Sequence, residues 1–489
     1  MACKFVIQRA EITSGFYFLP LASNILTILQ TNCLTVCLFE DALNQARKLD
    51  NYLSEHNKPL GPLHGLPISL KDNFNILGHD TTVGFVSWAN DPAKYDSTLV
   101  ELLRDAGAIL YCKTNVPTAM MIAETVNNLF GRTVNPRNRL LTSGGSSGGE
   151  SALIAFGGSP LGVGTDIGGS LRIPAALTGI FTLRPSFGRF PTQGARSGLA
   201  GQEAVQSVNG PMSTSLESLR LFATTVVGAE PWKRDPKCLP IPWRQVENKE
   251  RLKLAVCWHD GVVRPTPPVT RALKTTVERL KGAGHEVVEW DPKFHARAAS
   301  VLARFFIADG GKSIRKILDP VIEPFRPEMA AYASAKELGV NDMWQLQVER
   351  NEVCKGFLEQ WQAMEGLDGI LCPTTPHAAV ENGKFGRWVG YTGVFNILDY
   401  SAVSFPTGLY ADKAVDQLGA DVQALSDIDK EIMDACEYIS VHKDLGEADI
   451  LFIDNPDVIH GQPISLQLVA QRLEEEKVLA MAETVLKTL

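Results

Sequence analysis

Between positions 143 and 170 the chain carries ten glycines, at 144, 145, 148, 149, 157, 158, 162, 164, 168 and 169, interleaved with serines. Glycine gives up more backbone freedom on folding than any other residue, so such density is costly unless the segment stays flexible. A flexible linker would be glycine, serine and polar residues throughout. Here the apolar Ala152-Leu153-Ile154-Ala155 and Leu161 interrupt the run, and Asp166 and Arg172 follow it. The segment therefore reads as folded structure.

The flanking sequence supplies regular elements. Leu43, Ala46, Leu49 and Leu53 recur at three- and four-residue spacing and predict a helix over 40–56. Pro59, Gly61, Pro62, Gly65 and Pro67 then break the chain, and Ile68-Ser69-Leu70-Lys71 reads as a short strand ending in a lysine. A helix over 98–106, closed by Gly107, precedes a buried strand at 108–112. Strands are expected at 253–258, 285–288, 368–372 and 463–469, with helices over 269–282 and 473–488. This β-α-β alternation points to an α/β sheet. Residues 411–455 are acidic and read as irregular.

Apolar residues make up 45% of the 489, ample for a large core. The net charge of −8 disfavours binding to a phosphate backbone, so no nucleic-acid partner is expected. The nine cysteines are scattered with no Cys-x-x-Cys pair, which argues against a disulfide framework or a zinc cage and for reduced thiols in the cytoplasm. No metal and no cofactor are expected, and His-Glu-x-x-His is absent. Residues 12–39 carry no charge but are broken by Pro20, Ser23, Asn24, Gln30 and Asn32. A spanning helix needs about 20 mostly apolar residues, so this stretch reads as a buried or poorly folded segment and no membrane partner is expected.

Residues 144–175, GGSSGGESALIAFGGSPLGVGTDIGGSLRIPA, resemble the amidase signature, and GLPISLKDNF at 65–74 resembles that family's lysine segment. The likeness is strong over 60–232, looser to about 408, and returns at 459–489; SLKDNFNILGHDTTVGF is similar to the fungal acetamidase-like branch. The resemblance implies one large α/β fold with a mixed central sheet flanked by helices on both faces, spanning 40–489. Residues 1–39 form an atypical N-terminal segment and 436–455 look like an insertion within the irregular stretch 411–455.

The same resemblance implies a catalytic Ser–cis-Ser–Lys set: Ser170 as nucleophile, Ser146 as relay and Lys71 as base, with a cis peptide between Gly145 and Ser146. Amide hydrolysis requires a serine hydroxyl to lose its proton during attack and the leaving nitrogen to gain one. Lysine serves as a base only when neutral, and burial lowers its pKa. By resemblance, the backbone of Ile167, Gly168, Gly169 and Ser170 forms an oxyanion hole and Met120 lines the acyl pocket. Asp166 and Arg172 are expected to form an ion pair that fixes the loop. Further pocket walls are expected near Ile370 to Pro376 and Tyr391 to Phe395. The implied partner is a small-molecule amide, small and aliphatic at family level, and a homodimer stays open.

Rival readings are weaker. Gly144-x-Ser146-x-Gly148 fits a nucleophile elbow, with His377 or His460 as the base, but leaves the segment at Ser170 unexplained. Ser313-x-x-Lys316 is a short chance match, and Gly162-x-Gly164 lacks the spacing of a dinucleotide loop. A glutaminase subunit of a transamidation complex and a non-catalytic binding relative are the remaining alternatives.

Overall fold

The structure, a computed structural model, describes residues 30–386, 388–417, 423–434 and 456–489. Most of the uncharged N-terminal stretch and the expected insertion at 436–455 lie outside the described residues.

Thirteen strands are present among the described residues: β1 (Leu34–Cys37), β2 (Pro67–Lys71), β3 (Ile109–Thr114), β4 (Val126–Asn127), β5 (Gly131–Arg132), β6 (Leu161–Asp166), β7 (Phe181–Arg184), β8 (Val208–Ser213), β9 (Lys253–Val256), β10 (Glu286–Glu289), β11 (Gly369–Pro373), β12 (Ala402–Tyr410) and β13 (Pro463–Val469). Eleven form one sheet in the order β1-β3-β2-β6-β8-β7-β12-β13-β11-β9-β10, while β4 and β5 make a separate hairpin. The sheet is mixed. Strands β3, β2 and β6 are parallel, as are β11, β9 and β10, and the strands between them run antiparallel.

Side chains alternate across a strand with period two, so a sheet covered on both faces divides each strand between two cores. Ile68 and Leu70 of β2, Leu254 and Val256 of β9, and Leu466 and Leu468 of β13 enter one core. Helices Leu216–Gly228, Pro267–Gly282 and Glu475–Leu486 pack there. Ala255, Ile370 and Val469 enter the opposite core, against helices His295–Phe306, Val340–Gln362 and Gly390–Leu398. Ile109 and Tyr111 of β3 meet helix Phe39–His56 and Leu153 on that same opposite side. The alternation leaves Ser69 and Lys71 of β2 pointing away from the first core, toward helix Gly148–Ala155.

Several elements were not expected from the sequence. β6 passes through the glycine-rich run itself. Gly162 and Gly164 are required there by close approach: a Cβ on Gly162 would fall 1.7 Å from Glu150 Oε1, and one on Gly164 would fall 2.6 Å from Ser147 Oγ. Within the stretch read as irregular, helix Asp427–Asp434 forms. The Ser426 hydroxyl accepts from the Asp429 N–H, and Ile432 is buried.

Candidate active site

Three segments meet at the C-terminal end of β2. Lys71 ends that strand, Ser146 precedes helix Gly148–Ala155, and Ser170 precedes helix Arg172–Thr178. The two serine segments are tied by the Ser147 N–H, which donates to the Ser170 carbonyl at 3.1 Å. Thr125 clamps the first, its hydroxyl donating to the Gly144 carbonyl and accepting from the Gly148 N–H. The Gly145–Ser146 peptide bond is cis.

Lys71 is fully buried and its Nζ lies 2.7 Å from Ser146 Oγ and 2.7 Å from Thr165 Oγ1. Among the described residues, no carboxylate comes within ion-pair distance of it. A second buried lysine shows the contrast: Lys113 Nζ stands 3.4 Å from Asp72 Oδ1. Burial lowers the Lys71 pKa from 10.5 to about 7, with Asp166 and Glu150 opposing the fall. The amine is therefore about half neutral near pH 7. Behind it, Glu150 is also fully buried and accepts from the hydroxyls of Ser69 and Thr114. Burial pushes its carboxyl up to about 7, against the pull of those hydrogen bonds and of Lys71.

Asp166 and Arg172 pair as expected, Nε to Oδ2 at 3.1 Å with neither side chain exposed. Arg172 also donates to Asn396 Oδ1 at 2.7 Å and Gln467 Oε1 at 3.2 Å, while Asn396 Nδ2 donates back to Asp166 Oδ1. The network thus pins the loop to the helix at 390–398 and to β13. Burial alone would raise the Asp166 pKa, but the Arg172 guanidinium outweighs it and holds the carboxyl well below the usual range. Asp166 stays ionised and carries no proton.

The loop after Asp166 differs in one respect from what the resemblance implied. The Gly169 N–H donates to Asp166 Oδ1 at 2.9 Å and is committed to the loop. Ile167, Gly168 and Ser170 are the positions whose N–H groups are not directed at that carboxylate. Gly169 has φ +131°, and a Cβ there would fall 2.2 Å from Thr392 Oγ1, so glycine is needed for the turn itself.

A cavity of about 680 Å³ opens beside half-buried Ser170, with Gly145, Ile167, Gly168 and Met120 in its lining. Met120 adopts φ +58°, uncommon for a side-chain-bearing residue. The expected walls at Ile370 to Pro376 and Tyr391 to Phe395 are not there. Strand β11 is buried in mid-sheet, and of the helix at 390–398 only Gly390 reaches the lining. Helix His295–Phe306 and residues 383–386 and 388–390 take their place. Ala299, Leu302, Ala303 and Phe306 recur at helical spacing, a signal in the sequence that could have revealed this wall. Thr165, the second neighbour of Lys71, carried no comparable signal.

The model of the family described as Amidase matches residues 25–479. The chain belongs to the amidase family. Two curated relatives, both called acetamidase, come from Emericella nidulans and Aspergillus oryzae. They are 40% and 41% identical to this amidase over 94% of its chain and 83% of theirs. A solved structure named fatty acid amide hydrolase superposes with a TM-score of 0.88 at 34% identity, covering 95% of this chain and 80% of that one. A bacterial aryl acylamidase shares the fold, with a TM-score of 0.74 at 18% identity over all of this chain and 92% of its own. The amidase is a hydrolase acting on amide C–N bonds.

The geometry favours a lysine over the histidines of a nucleophile elbow as the neighbour of Ser146. His460 is half exposed with Nδ1 3.8 Å from Asp412, and His377 packs against Phe385. Ser146 is turned to Lys71 instead. Among the described residues no helix is long and apolar enough to cross a membrane.

Proposed function

We propose that the amidase cleaves a carboxylic amide to an acid plus ammonia or an amine through an acyl-serine intermediate. Ser170 is the nucleophile, Ser146 the relay and Lys71 the base. The observation that carries this reading is the 2.7 Å approach of Lys71 Nζ to Ser146 Oγ, with both side chains buried. A neutral Lys71 takes the Ser146 hydroxyl proton as Ser146 takes that of Ser170, and Ser170 Oγ attacks the amide carbonyl. The same chain in reverse delivers the proton to the leaving nitrogen, as general acid–base catalysis requires. Water then repeats the attack on the acyl-serine. N–H groups of the loop at Ile167, Gly168 and Ser170 face the developing oxyanion, and such a donor contributes roughly 2.7–4 kcal/mol elsewhere. No step requires a metal or cofactor.

A small-molecule amide is the partner. The described cysteines are all free thiols, several of them buried, which suits a reducing cytoplasm. The test is labelling with a fluorophosphonate, followed by an amide panel. Wild type should be labelled, Ser170→Ala should lose both label and turnover, and Lys71→Ala should lose about 10²–10⁴-fold in rate, the usual worth of a general base. Persistent labelling of Ser170→Ala would refute the assignment.

A further inference from the structure

We infer that the physiological substrate is an uncharged amide bearing an apolar group of about six or more carbons, not acetamide itself. This rests on the amidase reading above and adds what the cavity selects. The four heavy atoms of acetamide fill roughly 100 Å³, at about the 25–30 Å³ that a water takes in the liquid. The cavity beside Ser170 measures about 680 Å³, within the usual range for sites that enclose drug-sized ligands. Acetamide would leave most of it to water.

The walls are apolar and built to stay. Ile167, Leu302 and Phe306 form one side, and Phe306 reaches the catalytic loop, its Cζ 3.3 Å from the position of a Cβ on Gly168. Phe385 and Trp388 also line it, and each is held in place by hydrogen bonds at or beside it. Glu124, itself buried, accepts from the N–H groups of Gly383 at 2.8 Å and Phe385 at 2.9 Å. Trp388 Nε1 donates to Asp260 Oδ2 at 2.6 Å.

Among the described residues the lining also offers no free charge. The charged lining groups among them are Glu124, Glu328 and Lys384. Glu124 is paired with Arg132, Glu328 with Arg326 at 3.0 Å, and Lys384 with Glu381. Against these groups a charged substrate would be desolvated without a partner, whereas each buried methylene is favourable.

The experiment measures kcat/KM of the full chain on two series, acetamide to octanamide and N-methyl- to N-hexylacetamide, so that growth on either side of the amide is sampled. In at least one series each added methylene should raise kcat/KM about two- to fourfold, and by at least about tenfold over four methylenes. Adipamate, with a carboxylate at the far end, should be turned over at least about tenfold less efficiently than hexanamide. Ala299 is half-buried in the cavity wall, so Ala299→Phe should cut the hexanamide-to-acetamide ratio at least about fivefold by filling the space. Values that stay flat or fall in both series, or, where the acyl series is the one that rises, adipamate equal to hexanamide or an unchanged ratio in Ala299→Phe, would overturn the inference while leaving amide hydrolysis intact. Turnover that survives Ser170→Ala would instead remove the reading beneath it.

Discussion

Replacing Lys71 by methionine should exchange activity for a pH-dependent gain in stability. In the unfolded chain the amine titrates near 10.5, and in the fold near 7. Folding near neutral pH must therefore strip a proton that the unfolded state keeps. By linkage, this opposes folding by about 4 kcal/mol near pH 7 and about 2 kcal/mol near pH 9, vanishing above the unfolded pKa. The folded pKa is depressed, so the wild type recovers stability as pH rises from about 7 toward 10.5. Lys71→Met removes that opposition. It also leaves the Ser146 and Thr165 hydroxyls without the amine, at about 1–3 kcal/mol each, but hydroxyls do not titrate in this range. Glu150 moves the comparison in the same direction. Without the nearby cation its pKa rises, so the variant loses further stability as pH increases. Urea unfolding of both proteins near pH 7 and near pH 9 should thus show the wild type gaining about 2 kcal/mol or more on the variant. A difference that stays constant across that interval would refute a buried, neutral Lys71.

Three further outcomes follow from the same geometry. Arg172→Met strands Asp166 as a buried unpaired charge and should destabilise by about 3–5 kcal/mol, read as a lowered Tm with lost activity. Gly169→Ala forces a Cβ onto Thr392 Oγ1 at a φ that disfavours side chains, and should lower kcat by about 100-fold through displacement of Ser170, with the global Tm moved far less than in Arg172→Met. Glu150→Gln removes a charge that raises the Lys71 pKa, so the acid limb of kcat/KM should move to lower pH; an unmoved limb would show that Glu150 does not tune the base.

The sequence was most legible where local pattern and tertiary role agree. β3 announced itself through the continuous apolar run of Ala108 to Cys112, and the helix at 267–282 through its periodicity. β6 did not, because Gly162 and Gly164 are set by what packs on them, the side chains of Glu150 and Ser147, and not by strand propensity. The acidic stretch beyond 411 hid a helix whose stability comes from a buried Ile432 and from Asp429, which accepts the Arg264 N–H from far away in sequence. At the site, Lys71, Ser146 and Ser170 could be named only through resemblance, since nothing local joins positions 71, 146 and 170. Arg172 was paired with Asp166 by proximity, but Asn396 and Gln467, which complete that network, lie more than two hundred residues away. The cavity walls were misplaced for a related reason. Strand β11 and the helix at 390–398 are apolar because they fill the core, and apolarity alone does not distinguish a core face from a substrate face.

The central claim is that an amine kept uncharged by burial activates Ser170 through Ser146. It is tested most directly by the second-order rate of Ser170 labelling by a fluorophosphonate across about pH 5 to 9. The rate should climb about tenfold per pH unit below an inflection near 7 and level above it. A rate independent of pH over that range, or the same profile in Lys71→Met, would contradict it.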